Sequence, residues 1–559
     1  MGMKNHKLLH FLPLFIISIF PSLCLSLTLE DAFSKCFAFH LGGNPNSSSQ
    51  LIITQNNTSY QPLLQSSIRN LRFSNTSSSS TRKPKLIVTP KNVIHIQSAV
   101  VCSKRQGLQV RVRSGGHDYE GLSYTSDYQN QPFIIIDLSN VRSITVNLED
   151  ETTWVEAGAT LGELYHAIAS KSYVLGFPAG TCPTVGVGGH ISGGGFGTIF
   201  RKYGLGADNV VDVIMVDSNG MILDRTLTGE DLFWAVRGGG GSSFGVITAW
   251  KVNLVHVPPT VTIFEISRTL QDEDASTLFQ KWQKVADKLP GEMFLHAVMG
   301  VGNVTLNNGS SSKIVTFSFS GLYLGEAENV TILMNNTFPE LNLQRDNCIT
   351  MSWIQSVVYF AGYSMNTSMD VLLQRNQTFR SFKAKSDYVT QPIPKFGLQG
   401  LWNILLEENQ NAPVLIFSPY GGRMREIPDS ETPFPHRNGI IYGIQYLVYW
   451  DYNEETDEHV EWMRRLYEYM KPYVSRNPRA AYLNYRDLDL GMNRGGGNGS
   501  SYEEARSSWG RKYFKNNFER LAKVKAAVDG GNFFRNEQSI PPLFATTWRN
   551  SLCGDSCLY

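Results

Sequence analysis

Two spacings of apolar residues follow one another along the chain. From about residue 83 to 258, compact apolar runs such as LQVRVRSG and FIIIDLS predict strands, while NVIHIQSAVVCSKRQ and TLGELYHAIASK have the spacing of helices. From 259 to 477, stretches such as KIVTFSFSGLYLG alternate between apolar and polar positions, which is typical of antiparallel strands. The pattern therefore predicts an α+β fold in which helices back an antiparallel sheet.

The same pattern predicts how the chain is divided. Because 559 residues exceed the usual size of one domain, we expect more than one. Residues 27–258 form a first domain with a regular core from about 83, residues 259–477 form a second, and residues 478–559 are a C-terminal segment that returns to the first. The Ser/Asn-rich stretch over 46–82 predicts a flexible surface loop.

The first 26 residues have the layout of a cleavable signal peptide. Lys4, His6 and Lys7 precede the apolar run LLHFLPLFIISIF, and small and polar residues follow from Ser22 to Ser26. A membrane anchor is the alternative, but it needs about 20 apolar residues. We therefore expect a secreted protein without a membrane-spanning segment.

Acceptor sequences for N-linked glycans agree with export. They occur at Asn46, Asn56, Asn57, Asn75, Asn303, Asn308, Asn329, Asn335, Asn366, Asn376 and Asn498. The formal net charge of +1 argues against nucleic acid as a partner. No Cys/His pairs stand at zinc spacing, so we expect no metal site.

Seven cysteines leave one question open. Cys24 lies in the signal peptide, Cys36 and Cys102 flank the start of the globular part and predict a structural disulfide, and Cys553 and Cys557 lie together in the tail. Cys182 and Cys348 remain. They could pair with each other, or Cys182 could serve a ligand.

Two glycine-rich segments follow predicted strands. They are RVRSGGHDYEG (111–121) and GFPAGTCPTVGVGGHISGGGFG (176–197), and the second contains Cys182. Glycine lets backbone N–H groups approach an anion such as a pyrophosphate. Neither segment has the GxGxxG spacing of a Rossmann site, so a different dinucleotide fold is indicated. Flexible loops without a ligand are the alternative.

Five motifs occur in order between about residues 30 and 545: RSGGHDYEGLSY, GFPAGTCPTVGVGGHISGGGFG, GEDLFWAVRGGGG, AYLNYRDLDLG and NFFRNEQSIPP. Together they resemble the plant berberine-bridge-enzyme-like flavoproteins, FAD-linked oxidases of the vanillyl-alcohol-oxidase superfamily that include the cannabinoid-acid synthases. The resemblance implies a two-part FAD-binding domain of the PCMH type, with residues 259–477 as the substrate domain.

The resemblance also implies a flavin attached at two points. His117 matches the histidine bonded to the 8α-methyl of the flavin, and Cys182 matches the cysteine bonded to C6. Alone, His117 could be a structural histidine of the turn, but the two motifs together favour attachment. The remaining cofactor contacts are expected from Ser114, Gly115, Gly116, Gly186, Gly188, Gly189, His190, Gly193, Gly194, Gly195 and Val246, where His190 could instead bond only within its loop.

Val185 matches the position that controls oxygen access in this family. A valine resembles the oxidase setting, because it leaves room for O₂ beside the flavin. The reduced enzyme is therefore expected to react with O₂ and to release hydrogen peroxide.

One position that serves substrate activation in many relatives differs in this chain. Those relatives have a Glu or Lys two residues before the glutamine that corresponds to Gln445, whereas this chain has Gly443 there. Phe196 likewise replaces a tyrosine of related alcohol oxidases. Tyr485 matches the tyrosine proposed as base in the cannabinoid-forming relatives, and Tyr119 offers a second phenol. With a free pKa of about 10, Tyr485 needs a neighbouring cation or must relay a proton from an acidic substrate hydroxyl. A core aromatic is the alternative role.

We therefore predict a secreted, monomeric FAD-linked oxidase of the cell wall or vacuole. It takes hydride from a phenolic or prenylated metabolite and passes electrons to O₂. Its expected catalytic residues are Tyr485, Tyr119 and Gln445. Cyclisation of the oxidised product is possible. The alternatives are a carbohydrate or monolignol alcohol oxidase, a flavin-dependent pericyclase without net redox change, and a binding protein without turnover.

Overall fold

The computed structural model describes most of the chain. The described residues are 28–43, 48–74, 82–128, 131–305, 311–376, 379–407, 413–451, 456–493 and 501–543. The predicted signal peptide, Cys24, Cys553, Cys557 and the sequons at Asn46, Asn75, Asn308 and Asn498 lie outside them. Within these ranges, no helix combines the length and the apolar character needed to cross a bilayer.

Short strands in the first part of the chain form two main sheets. The strands are β1 (Ile52–Thr54), β2 (Leu86–Val88), β3 (Gln109–Arg113), β4 (Phe133–Asp137), β5 (Ile144–Asn147), β6 (Thr152–Glu156), β7 (Leu175–Gly176), β8 (Val210–Val216), β9 (Ile222–Leu223), β10 (Val246–Asn253) and β11 (Val255–His256). One sheet has the order β1-β2-β4-β3, with β4 parallel to both β2 and β3. The other has the order β5-β6-β10-β8-β9 and is antiparallel.

The second part of the chain forms a single antiparallel sheet, as predicted. Its strands are β12 (Val261–Thr269), β13 (Met293–Thr305), β14 (Ser311–Tyr323), β15 (Cys348–Met351), β16 (Ser381–Val389), β17 (Val414–Pro419) and β18 (Tyr442–Trp450). Their order is β15-β12-β14-β13-β17-β18-β16. The predicted α+β class is therefore confirmed.

Helices lie against these sheets and bury large apolar side chains. Phe279, Trp282, Trp402 and Trp462 come from helices that cover the seven-stranded sheet, and they belong to one buried cluster with its strands. The helices are Leu29–His40, Tyr60–Gln65, Val93–Arg105, Leu161–Ala169, Val187–Ser192, Phe200–Tyr203, Arg225–Val236, Ala275–Val285, Ala327–Thr337, Trp353–Phe360, Lys395–Glu407, Arg423–Glu426, Thr456–Met470, Tyr502–Ala505, Arg511–Phe514 and Asn517–Val528.

The prediction of a flexible loop over 46–82 is wrong for residues 48–74. This stretch contains β1 and the helix Tyr60–Gln65, and Tyr60, Leu64 and Ile68 are buried. These three apolar residues recur every four positions, which is the spacing of one helix face. Their burial outweighs the polar composition around them, and the segment packs on the first sheet.

Two features tie distant parts of the chain together. The predicted disulfide between Cys36 and Cys102 is present, and it joins the helices Leu29–His40 and Val93–Arg105. The C-terminal segment contacts the first part of the chain through a buried ion pair between Glu537 and Arg111, 2.9 Å long.

Candidate active site

A cavity of about 690 Å³ lies between the two glycine segments, the seven-stranded sheet and the C-terminal segment, and its size is typical of a small-molecule site. The predicted site residues that border it are Ser114, Gly115, Gly116, His117, Tyr119, Cys182, Val185, Gly186, Gly188, Gly189, His190, Gly193, Gln445 and Tyr485. Gly194, Gly195 and Val246 do not border it. Val246 is buried in β10, and its neighbours Gly245 and Ile247 border the cavity instead.

The first glycine segment packs so closely that side chains cannot fit. A Cβ at Gly115 would overlap the backbone of Gly186, and one at Gly116, where φ is +71°, would overlap the carbonyl of Ser67. Among the described residues, the backbone N–H groups of Gly115, Gly116 and His117 donate to no backbone acceptor. They are therefore available to an acceptor inside the cavity.

The second glycine segment leaves space for a ligand at Gly189. This residue lies in the helix Val187–Ser192, and a Cβ added to it would meet no other atom within 4 Å. By contrast, a Cβ at Gly188 would lie 2.9 Å from the carbonyl oxygen of Ala157. Gly188 thus serves packing, whereas Gly189 keeps the cavity wall open.

His117 faces the cavity as a neutral imidazole. Its Nε2 lies 2.9 Å from the hydroxyl of Thr184, two residues after Cys182. Burial, with a smaller effect of the Arg69 charge, lowers the pKa of His117 to about 3. Cys182 borders the same cavity as a thiol and is not part of a disulfide. The other thiol, Cys348, is buried in β15 of the seven-stranded sheet, so the two do not pair.

His190 bonds within its own loop while it also borders the cavity. Its Nε2 accepts a hydrogen bond of 3.1 Å from the N–H of Gly180, and its carbonyl accepts one of 2.9 Å from Asn484. Burial lowers the pKa of His190 to about 4. The ring is therefore neutral, and it holds the two ends of the glycine segment together.

Two phenols stack at the wall of the cavity. The rings of Tyr119 and Tyr485 lie 5.6 Å apart and are inclined by only 3°. Gln445 donates a hydrogen bond of 2.7 Å to the hydroxyl of Tyr119. Burial, together with neighbouring phenols, raises the pKa of both tyrosines well above 10. A cation-activated tyrosinate is therefore not supported, and relay of a proton is the remaining possibility.

Phe196 and Gly443 leave the region behind Tyr485 without an ionisable side chain at either position. The ring of Phe196 packs 6.1 Å from that of Tyr485, and a void of about 10 Å³ borders both of them and Gly443. A Cβ at Gly443 would lie 3.5 Å from Tyr388 and 3.6 Å from Tyr420, which is ordinary contact. Packing alone therefore does not require glycine there.

A buried ion network lies directly behind the two phenols. Lys383 pairs with Glu120, the residue after Tyr119, and its Nζ lies 2.8 Å from Asp487, two residues after Tyr485. Lys385 bonds to Asp487 and Asp489 at 2.7 Å each, and Arg486 pairs with Asp118 at 3.2 Å. The charges after Tyr485 thus hold the C-terminal segment to both parts of the chain, as expected for a structural role.

Lys383 and the cavity residues of the seven-stranded sheet other than Gln445 were not among the residues expected from the sequence. A signal was present, because Lys383, Lys385 and Asp387 alternate with smaller or apolar residues in SFKAKSDYV and so share one face of β16. The other cavity residues were not detectable, since the fold decides which segments meet. They include Arg69, Phe294, His296, Phe360, Arg380, Phe382 and Tyr449.

These features fit FAD. Unengaged N–H groups at Gly115 and Gly116 suit a pyrophosphate, the open wall at Gly189 suits a flat ring system, and a neutral imidazole and a thiol at His117 and Cys182 are nucleophiles that can bond to it.

Comparisons with known proteins agree with this fit. A family model described as an FAD binding domain matches residues 84–226, and one described as berberine and berberine like matches residues 481–541. The fold and the site therefore define an FAD-linked oxidoreductase. The chain is 48% identical over 529 residues, or 95% of its length and 98% of the relative's, to berberine bridge enzyme-like 8 of Arabidopsis thaliana. The chain belongs to the berberine bridge enzyme-like family.

Other members of this family differ in what they are described to do. The chain is 49% identical to a tetrahydroberberine oxidase of Berberis wilsoniae, over 88% of this chain and 91% of that one. The structure superposes with a TM-score of 0.84 on Phl p 4, a grass pollen allergen with glucose dehydrogenase activity, at 45% identity and with 92% and 100% of the two chains covered. Family membership therefore establishes the FAD-linked oxidase class but not the substrate.

Proposed function

We propose that this protein is a secreted oxidase that removes a hydride and a proton from a phenolic or prenylated plant metabolite. The observation that carries the proposal is the stacked pair of Tyr119 and Tyr485, which borders the same cavity as His117 and Cys182. No ionisable side chain stands at Gly443 or Phe196 to deprotonate a simple alcohol. A substrate whose own hydroxyl is acidic, as in a phenol, suits such a site.

His117 and Cys182 hold the flavin covalently in this proposal, and the N–H groups of the first glycine segment bind its pyrophosphate. The neutral state of His117 leaves a ring nitrogen free to form a bond, and Thr184 orients the ring. When bound there, FAD would supply the two-electron chemistry: it would take up the hydride of the substrate and return two electrons to O₂, which with two protons gives hydrogen peroxide. Two attachment points fix the ring system while the cavity in front of it stays wide.

The two phenols move the proton as a relay. Gln445 donates to the oxygen of Tyr119, so the Tyr119 hydroxyl hydrogen points to another acceptor, which a substrate oxygen can provide. Because the pKa of Tyr119 and of Tyr485 lies well above 10, neither is ionised at neutral pH. Each therefore accepts a proton from the substrate only while it passes its own proton on, and the relay delivers that proton to solvent. This requirement favours substrates with acidic hydroxyl groups.

Val185 admits oxygen in this proposal. It borders the cavity three residues after Cys182 and packs partly buried against the core of the first domain. A grass pollen relative offers support, since a variant of Phl p 4 that has valine in place of one isoleucine is described as a glucose oxidase, whereas its wild type is described as a glucose dehydrogenase. The same side chain at Val185 agrees with an oxidase.

Anaerobic titration of the holoenzyme tests this function. A set of electron-rich phenols, prenylated phenols, monolignols and hexoses is mixed with the enzyme, and the loss of the flavin absorbance is followed. We expect phenols to reduce the flavin and hexoses not to do so. Reduction by hexoses or monolignols alone would support an alcohol oxidase instead, and a product of unchanged mass without flavin reduction would support a pericyclase. Either result contradicts the proposal.

A further inference from the structure

Two arginines, one half-buried and one exposed, border the cavity without a carboxylate partner. They are Arg69, from the segment before the first glycine loop, and Arg380, from the residue before β16. Nη2 of Arg69 donates to the carbonyl of Arg375 at 3.1 Å, whereas its Nε and Nη1 are buried and have no hydrogen-bond partner among the described residues. Buried guanidinium N–H groups without an acceptor are costly, so an acceptor is expected there.

The nearby carboxylates are engaged elsewhere. Asp118, which also borders the cavity, pairs with Arg486 at 3.2 Å. Glu163 accepts two hydrogen bonds from Arg375, one on each carboxylate oxygen, and a third of 3.1 Å from Arg142. Within the described part of the chain, neither Arg69 nor Arg380 forms an ion pair with an acidic side chain. Within the described residues, the charge of neither guanidinium is therefore neutralised by a carboxylate.

Ring and backbone contacts link both arginines to Tyr119. The guanidinium of Arg380 lies 6.0 Å from the ring centre of Tyr449, and the ring of Phe382 contacts those of both Tyr449 and Tyr119, at 5.9 and 5.2 Å. On the other side, Asn70, which follows Arg69, donates to the carbonyl of Tyr119 at 2.9 Å. Because Arg69, Arg380 and Tyr119 border one cavity, a ligand that contacts the hydroxyl of Tyr119 can extend toward either cation.

We propose that Arg69 and Arg380 form an anion subsite that binds a carboxylate of the substrate. The inference rests on the proposed function and narrows its substrate class to phenolic acids. Guanidinium groups bind carboxylates through charge-assisted hydrogen bonds, and Nε and Nη1 of Arg69 both carry N–H groups without an acceptor. The carboxylate fixes one end of the substrate, and the phenolic hydroxyl is thereby placed at Tyr119.

The test compares two probes that differ only in a carboxylate, 2,4-dihydroxybenzoate and resorcinol. Each is titrated into the flavin-loaded enzyme, and Kd is taken from the shift of the flavin absorbance. Wild type is expected to bind the acid at least about tenfold more tightly, which is the usual effect of a hydrogen bond to a charged group. Arg69→Gln and Arg380→Gln should each remove most of that preference and change the Kd of resorcinol less than twofold.

Arg268→Gln is the control, because it removes the same charge from a pair with Asp274 that does not border the cavity. It should leave both constants unchanged. Equal weakening of both probes by Arg69→Gln, or no preference of wild type for the acid, would overturn the subsite. Because the titration measures binding, failure of both probes to reduce the flavin would count against the proposed oxidation and not against the subsite.

Discussion

Removal of the Lys383 charge is expected to disturb the phenol pair through the chain that carries it. Lys383 is 3% exposed and joins Glu120 to Asp487, which flank Tyr119 and Tyr485 in sequence. Burial disfavours the charge, yet Glu120, Asp487 and Asp489 hold the pKa of Lys383 above its usual value. Lys383→Met leaves these carboxylates buried with one cation fewer.

The expected loss is at the lower end of the roughly 3–5 kcal/mol found when one partner of a buried ion pair is removed. Two partners remain, since Glu120 keeps Arg72 at 2.6 Å and Asp487 keeps Lys385 at 2.7 Å. For a chain of this length, unfolding entropy is roughly 1 kcal/mol per kelvin, so Tm should fall by about 3 °C.

Differential scanning calorimetry of the holoenzyme measures this shift, and steady-state kinetics measures kcat. Lys383→Arg restores the charge and should therefore recover most of the wild-type Tm and kcat. Lys251→Met removes a more exposed pair with Asp150 and should change Tm by less than about 1 °C. The reasoning would be refuted if Lys383→Met lowered Tm no more than Lys251→Met does.

Three further predictions follow from the structure. Val185→Ile adds one methylene beside the cavity and should slow reoxidation by O₂ about tenfold in stopped-flow mixing, whereas an unchanged rate would argue against oxygen control there. Replacement of Cys36 and Cys102 by Ser opens a loop of 66 residues and should cost about 4 kcal/mol, seen as a lower Tm that reductant no longer affects. Burial lowers the pKa of His436 well below 6.5, and Nε2 of this residue lies 2.9 Å from the carbonyl oxygen of Tyr513. The unfolded chain therefore takes up a proton at this histidine before the folded protein does. The contribution of His436 to stability is present above about pH 6.5 and is lost as the pH falls. His436→Phe should therefore reduce the drop of Tm between pH 7 and 5, and an identical drop would contradict this.

Local patterns predicted the parts of the fold that depend on neighbours in sequence. Alternation in KIVTFSFSGLYLG corresponds to β14, and the sequence TLGE produces a capping box in which Thr160 and Glu163 bond to each other's backbone. Burial of Tyr60 and Leu64 was missed because composition outweighed their spacing in the prediction. Strand order was also beyond reach, since the register of the seven-stranded sheet depends on residues more than a hundred positions apart.

The candidate site was predicted as far as its motifs extend. His117, Cys182, Tyr119, Gln445 and Tyr485 lie in or near recognisable segments, and the structure brings all of them to one cavity. Arg69 and Arg380 lie outside any motif, so their role depends on which segments the fold brings together. The protonation state of Tyr485 likewise could not be predicted without the fold, because a pKa raised by burial is not visible in the sequence.

Peptide mapping of the purified protein tests the bicovalent flavin most directly. The protein is precipitated with acid, alkylated and digested. The peptides are separated by chromatography, detected by flavin absorbance and identified by mass spectrometry. The expected result is a single yellow species in which one FAD joins the peptide that contains His117 to the peptide that contains Cys182, while the Cys348 peptide carries only an alkylated thiol. Flavin recovered in the supernatant, with the peptides of His117 and Cys182 both at their unmodified masses, would contradict the proposed attachment.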